Sequence, residues 1–154
     1  MDSKSSASQR SCGSCWAFGT VGAVEGLYSI KNSKPPISFS EQQIVDCDIT
    51  QKSHGCNGGE NTDSFAYMAT TGVILTKDYP YMAMDLTCKD KIVPIFGWKP
   101  VSQGSVLPKD NDGLLSQVKN GPVTIALNAA SYYFRFYLSG IELIRCCRSR
   151  VQLY

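Results

Sequence analysis

From position 16 onward the residues Trp16, Ala17, Phe18, Val21, Val24, Leu27 and Tyr28 recur at intervals of three and four. That spacing places side chains along one stripe of an α-helix. Pro35 and Pro36 lie beyond its end. Gly19, Gly22 and Gly26 fall inside this helix, where each glycine costs about 1 kcal/mol relative to alanine, so they predict another backbone packed closely against it. Ser40, followed by Glu41, Gln42 and Gln43, reads as a capping box, and Phe39 with Ile44 supplies the hydrophobic staple of a second helix beginning at Glu41. A third helix is predicted over residues 61–71, with Gly72 as its stop and Phe65 and Met68 or Ala69 facing inward. Beyond it the helices thin out. Residues 92–101 and 123–127 read as strands, separated by a helix near residues 112–119 that ends at Gly121-Pro122. The class is therefore α+β, helices first and strands after. There is no internal repeat, and low complexity is confined to the Ser-rich residues 1–10.

Composition narrows the functional classes. At 43% hydrophobic and 18% charged, the 154 residues carry enough apolar material for a sizeable core. Fifteen basic against thirteen acidic residues leave a formal charge of +2, which calls for no nucleic-acid or anionic-membrane partner. The longest apolar runs fall far short of the roughly 20 residues of a membrane helix. Seven cysteines, at 12, 15, 47, 56, 88, 146 and 147, suggest an oxidising compartment with one thiol left over. Residues 1–10 are polar and contain no apolar signal, so an incomplete N-terminus is expected.

The segment Cys12-Gly13-Ser14-Cys15-Trp16 places a thiol at the first turn of the long helix. There, unpaired backbone N–H groups and the helix dipole favour negative charge on a nucleophile. A lone Cys-x-x-Cys without further context reads first as a structural disulfide or a buried thiol. A thioredoxin-type dithiol would carry its tryptophan before the first cysteine, whereas Trp16 follows the second. Structural zinc would need a second well-spaced ligand pair, but the other cysteines are scattered or adjacent and His54 is the only histidine.

Residues 11–18, Ser-Cys-Gly-Ser-Cys-Trp-Ala-Phe, resemble the nucleophile segment of the papain-like cysteine proteases, the papain and cathepsin type. The match continues in order through Ser40-Glu41-Gln42-Gln43, Asp46-Cys47-Asp48, Gly55-Cys56-Asn57-Gly58-Gly59, Tyr79-Pro80-Tyr81, Gly121-Pro122-Val123 and Ser139-Gly140-Ile141, covering about residues 9–141. The resemblance implies a two-domain fold. A helical, nucleophile-bearing domain would occupy residues 1–90, complete or nearly so, and a partial antiparallel β-barrel domain residues 91–154, with a tail that diverges from about 142 and whose basic run, residues 145–150, reads as strandless. It implies Cys15 as thiol nucleophile and Gln9 as side-chain donor of the oxyanion hole, beside the backbone N–H of Cys15. It further implies Gly58 and Gly59 as a shelf for an extended peptide, Glu60 and Asn61 as a polar edge of the neighbouring pocket, Ala126 as that pocket's small wall, and disulfides Cys12–Cys56 and Cys47–Cys88. Arg10 stands where the family usually has glycine, so the oxyanion loop is expected to bend differently.

The expected activity is that of an endopeptidase acting on peptide or protein substrates, with protein protease inhibitors as further partners. No metal or cofactor is called for. A lysosomal, vacuolar or extracellular location follows from the resemblance. Such an enzyme also needs an imidazole to move the thiol proton. The family places its His and Asn roughly 130–150 residues past the nucleophile, and no histidine occurs there in this sequence. His54 lies in a polar loop and reads as a surface residue. The chain is thus expected to be truncated before the catalytic pair and inactive alone. The alternatives are a non-catalytic homologue that binds peptides or inhibitors, or a gene fragment without settled function.

Overall fold

The computed structural model describes residues 8–50, 52–89, 104–107, 110–126, 132–139 and 151–153. The first apolar stripe winds into helix α1, Cys15–Asn32. It buries Trp16, Ala17, Val21, Val24 and Tyr28 against Phe39, Ile44 and Val45 from the region of α2 (Glu41–Cys47), and against Phe65, Met68 and Val73 from the region of α3 (Asn61–Thr71). Fully burying a side chain of this size contributes roughly 1.5–3 kcal/mol, so this three-helix contact is the main cohesive element of the described residues. The ring of Phe39 meets Tyr28 edge-on at 5.8 Å between centroids, and the Phe39 N–H donates to the buried carboxylate of Glu25 at 2.8 Å.

Helix α3 spans the predicted residues and stops at Gly72, with Phe65 and Met68 buried. At α2 half of the expected capping box forms. Ser40 Oγ accepts from the Gln43 N–H at 3.0 Å, but the Gln43 side chain turns away from the cap. Its amide donates to Gly72 O at 3.0 Å and its carbonyl accepts from the Ile74 N–H at 2.9 Å, while the Ser40 N–H is taken by Ile74 O. The glutamine thus joins α2 to the end of α3 instead of closing a local loop.

Gly19 and Gly26 have the packing role expected of them. A Cβ at Gly19 would lie 2.9 Å from Thr124 Cγ2, and one at Gly26 would lie 2.8 Å from Pro122 Cγ. The partner approaches with side chains, however, and Gly22 has no atom within 4 Å of a built Cβ, so the expectation fails there.

Helix α4, Asn111–Asn120, is capped by Asp110, whose side chain accepts from the Gly113 N–H at 2.8 Å, and stops at Gly121. Strands β1 (Gly104–Val106), β2 (Val123–Ile125) and β3 (Val151–Leu153) form an antiparallel sheet in the order β1-β3-β2. Gly104 and Val123 both stand opposite Leu153. A short helix α5, Tyr132–Arg135, lies between β2 and β3 in the chain. Strand β3, the middle strand, falls in the tail that diverges from about 142 and was not expected from the sequence; the basic run 145–150, expected to be strandless, lies outside the described residues. Val-x-Leu alternation fits a strand. The predicted strand at 92–101 lies outside the described residues, as do Leu127, Cys146 and Cys147.

Candidate active site

Cys15 occupies the first position of α1, follows Ser14 as N-cap, and is exposed with a free thiol. The loop in front of it is fixed from several sides. Cys12, which is buried, is bridged to Cys56, and the Gly13 N–H donates to Cys56 O at 2.8 Å. A Cβ at Gly13 would sit 2.6 Å from that same carbonyl oxygen; only glycine permits this approach. A second bridge, Cys47–Cys88, ties the end of α2 to the segment that follows Tyr81.

Ser14 is a residue type that usually caps a helix with its hydroxyl, yet it makes no side-chain cap bond. Its Oγ lies 2.5 Å from the hydroxyl of Tyr81. The Tyr81 hydroxyl in turn donates to Gln9 O at 2.9 Å. A carbonyl can only accept, and a phenol has one proton, so Ser14 donates to Tyr81 and Tyr81 donates to Gln9. The ring of Tyr81 stands edge-on to Phe18 at 4.9 Å. Ser14 therefore leaves the N–H groups of the first turn of α1 uncapped by its own side chain.

Gln9 is exposed, and its carbonyl also accepts from the Cys12 N–H at 3.3 Å. Arg10 has φ 54°, the left-handed region that glycine enters without steric cost. Arginine at this position, where glycine was expected, thus adopts a backbone conformation that glycine enters more easily.

The shelf residues follow a 3-10 turn, Gly55–Asn57. Gly58, at φ 111°, has open space where a side chain would stand. Gly59 differs, since a Cβ there would lie 2.5 Å from the indole of Trp16. Its lack of a side chain lets Trp16 pack against the backbone of this segment, and the indole N–H donates to Gly55 O at 3.2 Å. Glu60 is the half-buried N-cap residue of α3, in extended conformation. Asn61, expected at the pocket edge, directs its amide into α1, donating to Trp16 O at 2.8 Å and Thr20 Oγ1 at 3.0 Å. It anchors α3 on α1, a role not read from the sequence. Ala126 is exposed, one residue past the end of β2. His54 is exposed, and its backbone closes the turn through His54 N–H to Gly58 O at 2.8 Å.

The structure adds a group that sequence reading missed. Residues 79–86 cross behind the nucleophile loop and the shelf, carried by two side chains of α2. Gln42 accepts from the Met82 N–H and donates to Met84 O, both at 2.8 Å. Asp46 accepts from the Leu86 N–H at 2.9 Å and from the Tyr79 hydroxyl at 2.8 Å. From this strap Tyr81 reaches Ser14 and Gln9, and Asp85 accepts from the Cys56 N–H at 2.7 Å. Burial, and then the hydrogen bond to the Asp46 carboxylate, push Tyr79 up to about 12. Burial likewise raises Asp48 above the usual carboxylate range, with the Ser53 hydroxyl opposing. The Tyr-Pro-Tyr run and the Gln42/Asp46 spacing of four were visible in sequence, but the backbone groups they would meet were not.

Comparison with known proteins places these features in context. The model of the family described as papain family cysteine protease matches residues 3–153, extending past both ends of the resemblance read from sequence blocks. A KDEL-tailed cysteine endopeptidase of Arabidopsis thaliana is 44% identical over 144 residues, 90% of this chain and 38% of that protein. Cysteine proteinase 15A of Pisum sativum is 41% identical over 154 residues, 93% of this chain and 41% of that protein. A cysteine protease of Carica candamarcensis, solved in complex with E-64, superposes with a TM-score of 0.81 at 28% identity, covering 96% of this chain and 70% of that one. The chain spans about two fifths of the length of these curated relatives.

Proposed function

Because the chain belongs to the papain family of cysteine proteases, we propose that it forms the nucleophile-bearing part of a cysteine-type endopeptidase, with Cys15 as the attacking thiol. The observation that carries this reading is the exposed, unbridged Cys15 at the N-terminal position of an 18-residue helix, behind a loop held by a disulfide and by Tyr81. The thiolate sulfur attacks the scissile carbonyl carbon, the C–N bond breaks as the amine leaves with a proton, and water then hydrolyses the thioester. The developing oxyanion is received by the Gln9 side chain and the Cys15 N–H; one such donor is worth roughly 3–4 kcal/mol at the transition state.

An extended peptide lies along Gly58 and Gly59, pairing with backbone as an added strand does. Glu60 makes the adjoining pocket polar, with Ala126 on its other side. Short peptide aldehydes with lysine as the second residue upstream of the reactive carbonyl then bind better than their leucine counterparts, and Glu60→Leu reverses that order; an unchanged order contradicts the role given to Glu60. Residues 1–90 make up the helical unit, and residues 91–154 contribute to a second, sheet-bearing unit. The two disulfides support an oxidising compartment.

Proton transfer to the leaving amine requires an imidazole, and the sequence holds only His54, whose backbone belongs to the turn before the shelf. The 154-residue polypeptide alone therefore binds peptides without turning them over. Assay of the refolded polypeptide on a fluorogenic peptide amide is expected to show no release above buffer. Turnover that is abolished by Cys15→Ser and unaffected by His54→Ala would require a base this account lacks.

A further inference from the structure

We infer that the Tyr81 hydroxyl is a positioning group for the oxyanion corner, acting through the Gln9 backbone. This rests on the reading of Gln9 as an oxyanion donor. Gln9 lies on an exposed loop immediately before Arg10, which is in the left-handed region. Among the described hydrogen bonds, its carbonyl is held by a 3.3 Å contact within the loop and by the 2.9 Å bond from Tyr81. Of the two, the Tyr81 bond is shorter and comes from outside the loop.

Tyr81 is well suited to this task. Its ring is seated on Phe18 of α1, and the next residue, Met82, is pinned through its N–H by the fully buried Gln42. Its hydroxyl has a defined direction because Ser14 donates into it, leaving the single phenolic proton for Gln9. The same bond occupies the Ser14 hydroxyl, which would otherwise be free to turn back and cap the first-turn N–H groups of α1. One phenol thus connects the residue before the nucleophile with the residue that supplies the other oxyanion donor. Asp85, four residues on, does the equivalent for the shelf through the Cys56 N–H.

The test uses the full 154-residue chain and a short acetylated dipeptide aldehyde carrying ¹³C at its carbonyl. Adding the Cys15 thiol to the aldehyde forms an S–C bond, breaks the carbonyl π bond and places the thiol proton on the former carbonyl oxygen, the atom Gln9 is held to face. No other reactant is needed, and the adduct is counted by carbon NMR. Alkylation by iodoacetamide serves as the control, because displacement of iodide creates no such oxygen.

Gln9→Ala is expected to weaken adduct formation about tenfold, the value of one ordinary hydrogen bond. Tyr81→Phe, which keeps the ring on Phe18, is expected to reproduce a threefold or greater part of that loss, roughly half its free energy. In each variant the loss of adduct exceeds any change in the alkylation rate, and Tyr81→Phe has no further effect on the adduct once Gln9 is alanine. Ser14→Ala, which leaves the phenol in place but removes the donor that orients it, gives the same split at smaller size and serves if Tyr81→Phe folds poorly. Wild-type adduct formation in both Tyr81→Phe and Ser14→Ala beside a weakened Gln9→Ala overturns the inference, as does a Tyr81→Phe loss that persists undiminished in the Gln9→Ala background. An unweakened Gln9→Ala overturns the oxyanion assignment itself, and this inference with it.

Discussion

Arg10 stands at φ 54° beside the proposed oxyanion donor. A non-glycine residue in the left-handed region costs about 1–2 kcal/mol, and glycine gives back part of that through the freedom it adds to the unfolded chain. Arg10→Gly should therefore stabilise the protein by roughly 0.5–1 kcal/mol, read as a Tm a few degrees higher in a thermal melt. An equal or lower Tm would show that the arginine side chain offsets the strain through contacts of its own. The identity of residue 10 was plain in the sequence; its backbone angle was not, since a substitution can change a loop or be tolerated by it. Asn61 makes the complementary point. As an isolated residue beside Glu60 it suggested a pocket edge, but its amide is engaged by Trp16 O and Thr20 Oγ1, 45 and 41 residues earlier in the chain.

At the scale of elements, the helices were legible wherever the signal was local. The apolar stripe of α1, the Ser40 cap of α2 and the Gly72 stop of α3 each depend on residues within one or two turns. What escaped reading was the polar side of α2, where Gln42, Gln43 and Asp46 are buried and spend their hydrogen bonds on segments about 25 to 40 residues away. Glutamine and aspartate in a short helix ordinarily read as a solvated face, and only the tertiary fold supplies the backbone partners that make their burial tolerable. The tail strand β3, only three residues long, was likewise not read from the sequence.

The bond from Tyr79 to Asp46 gives this element a pH signature. Tyr79 is pushed up to about 12 by burial and by Asp46, against about 10 in an unfolded chain. The folded state thus holds the proton more tightly. The contribution of this bond is fully present below about pH 10 and is lost as pH rises through about 12. In denaturant melts, wild type should exceed Tyr79→Phe in stability at pH 8 to 9, and the gap should narrow as pH passes 10. A gap that stays constant or widens would contradict the buried, carboxylate-facing position of this phenol.

For the molecule as a whole, the ordered blocks of sequence pointed to the papain-like fold, and structural superposition supports that fold over nearly all of the chain. The site itself was legible in part. The exposed cysteine, its helix and the glycines at 58 and 59 could be named from residues, whereas the strap of residues 79–86, which bonds to both segments, appears only in three dimensions. The central claim is that Cys15 is a free, exposed nucleophile beside a loop stapled by Cys12–Cys56. The most direct test is alkylation of the native chain with iodoacetamide followed by non-reducing peptide mapping. Among the five cysteines at 12, 15, 47, 56 and 88, the account predicts label on Cys15 alone, with Cys12 recovered bridged to Cys56 and Cys47 to Cys88. Recovery of Cys15 in a stable intramolecular disulfide, unlabelled, would contradict it.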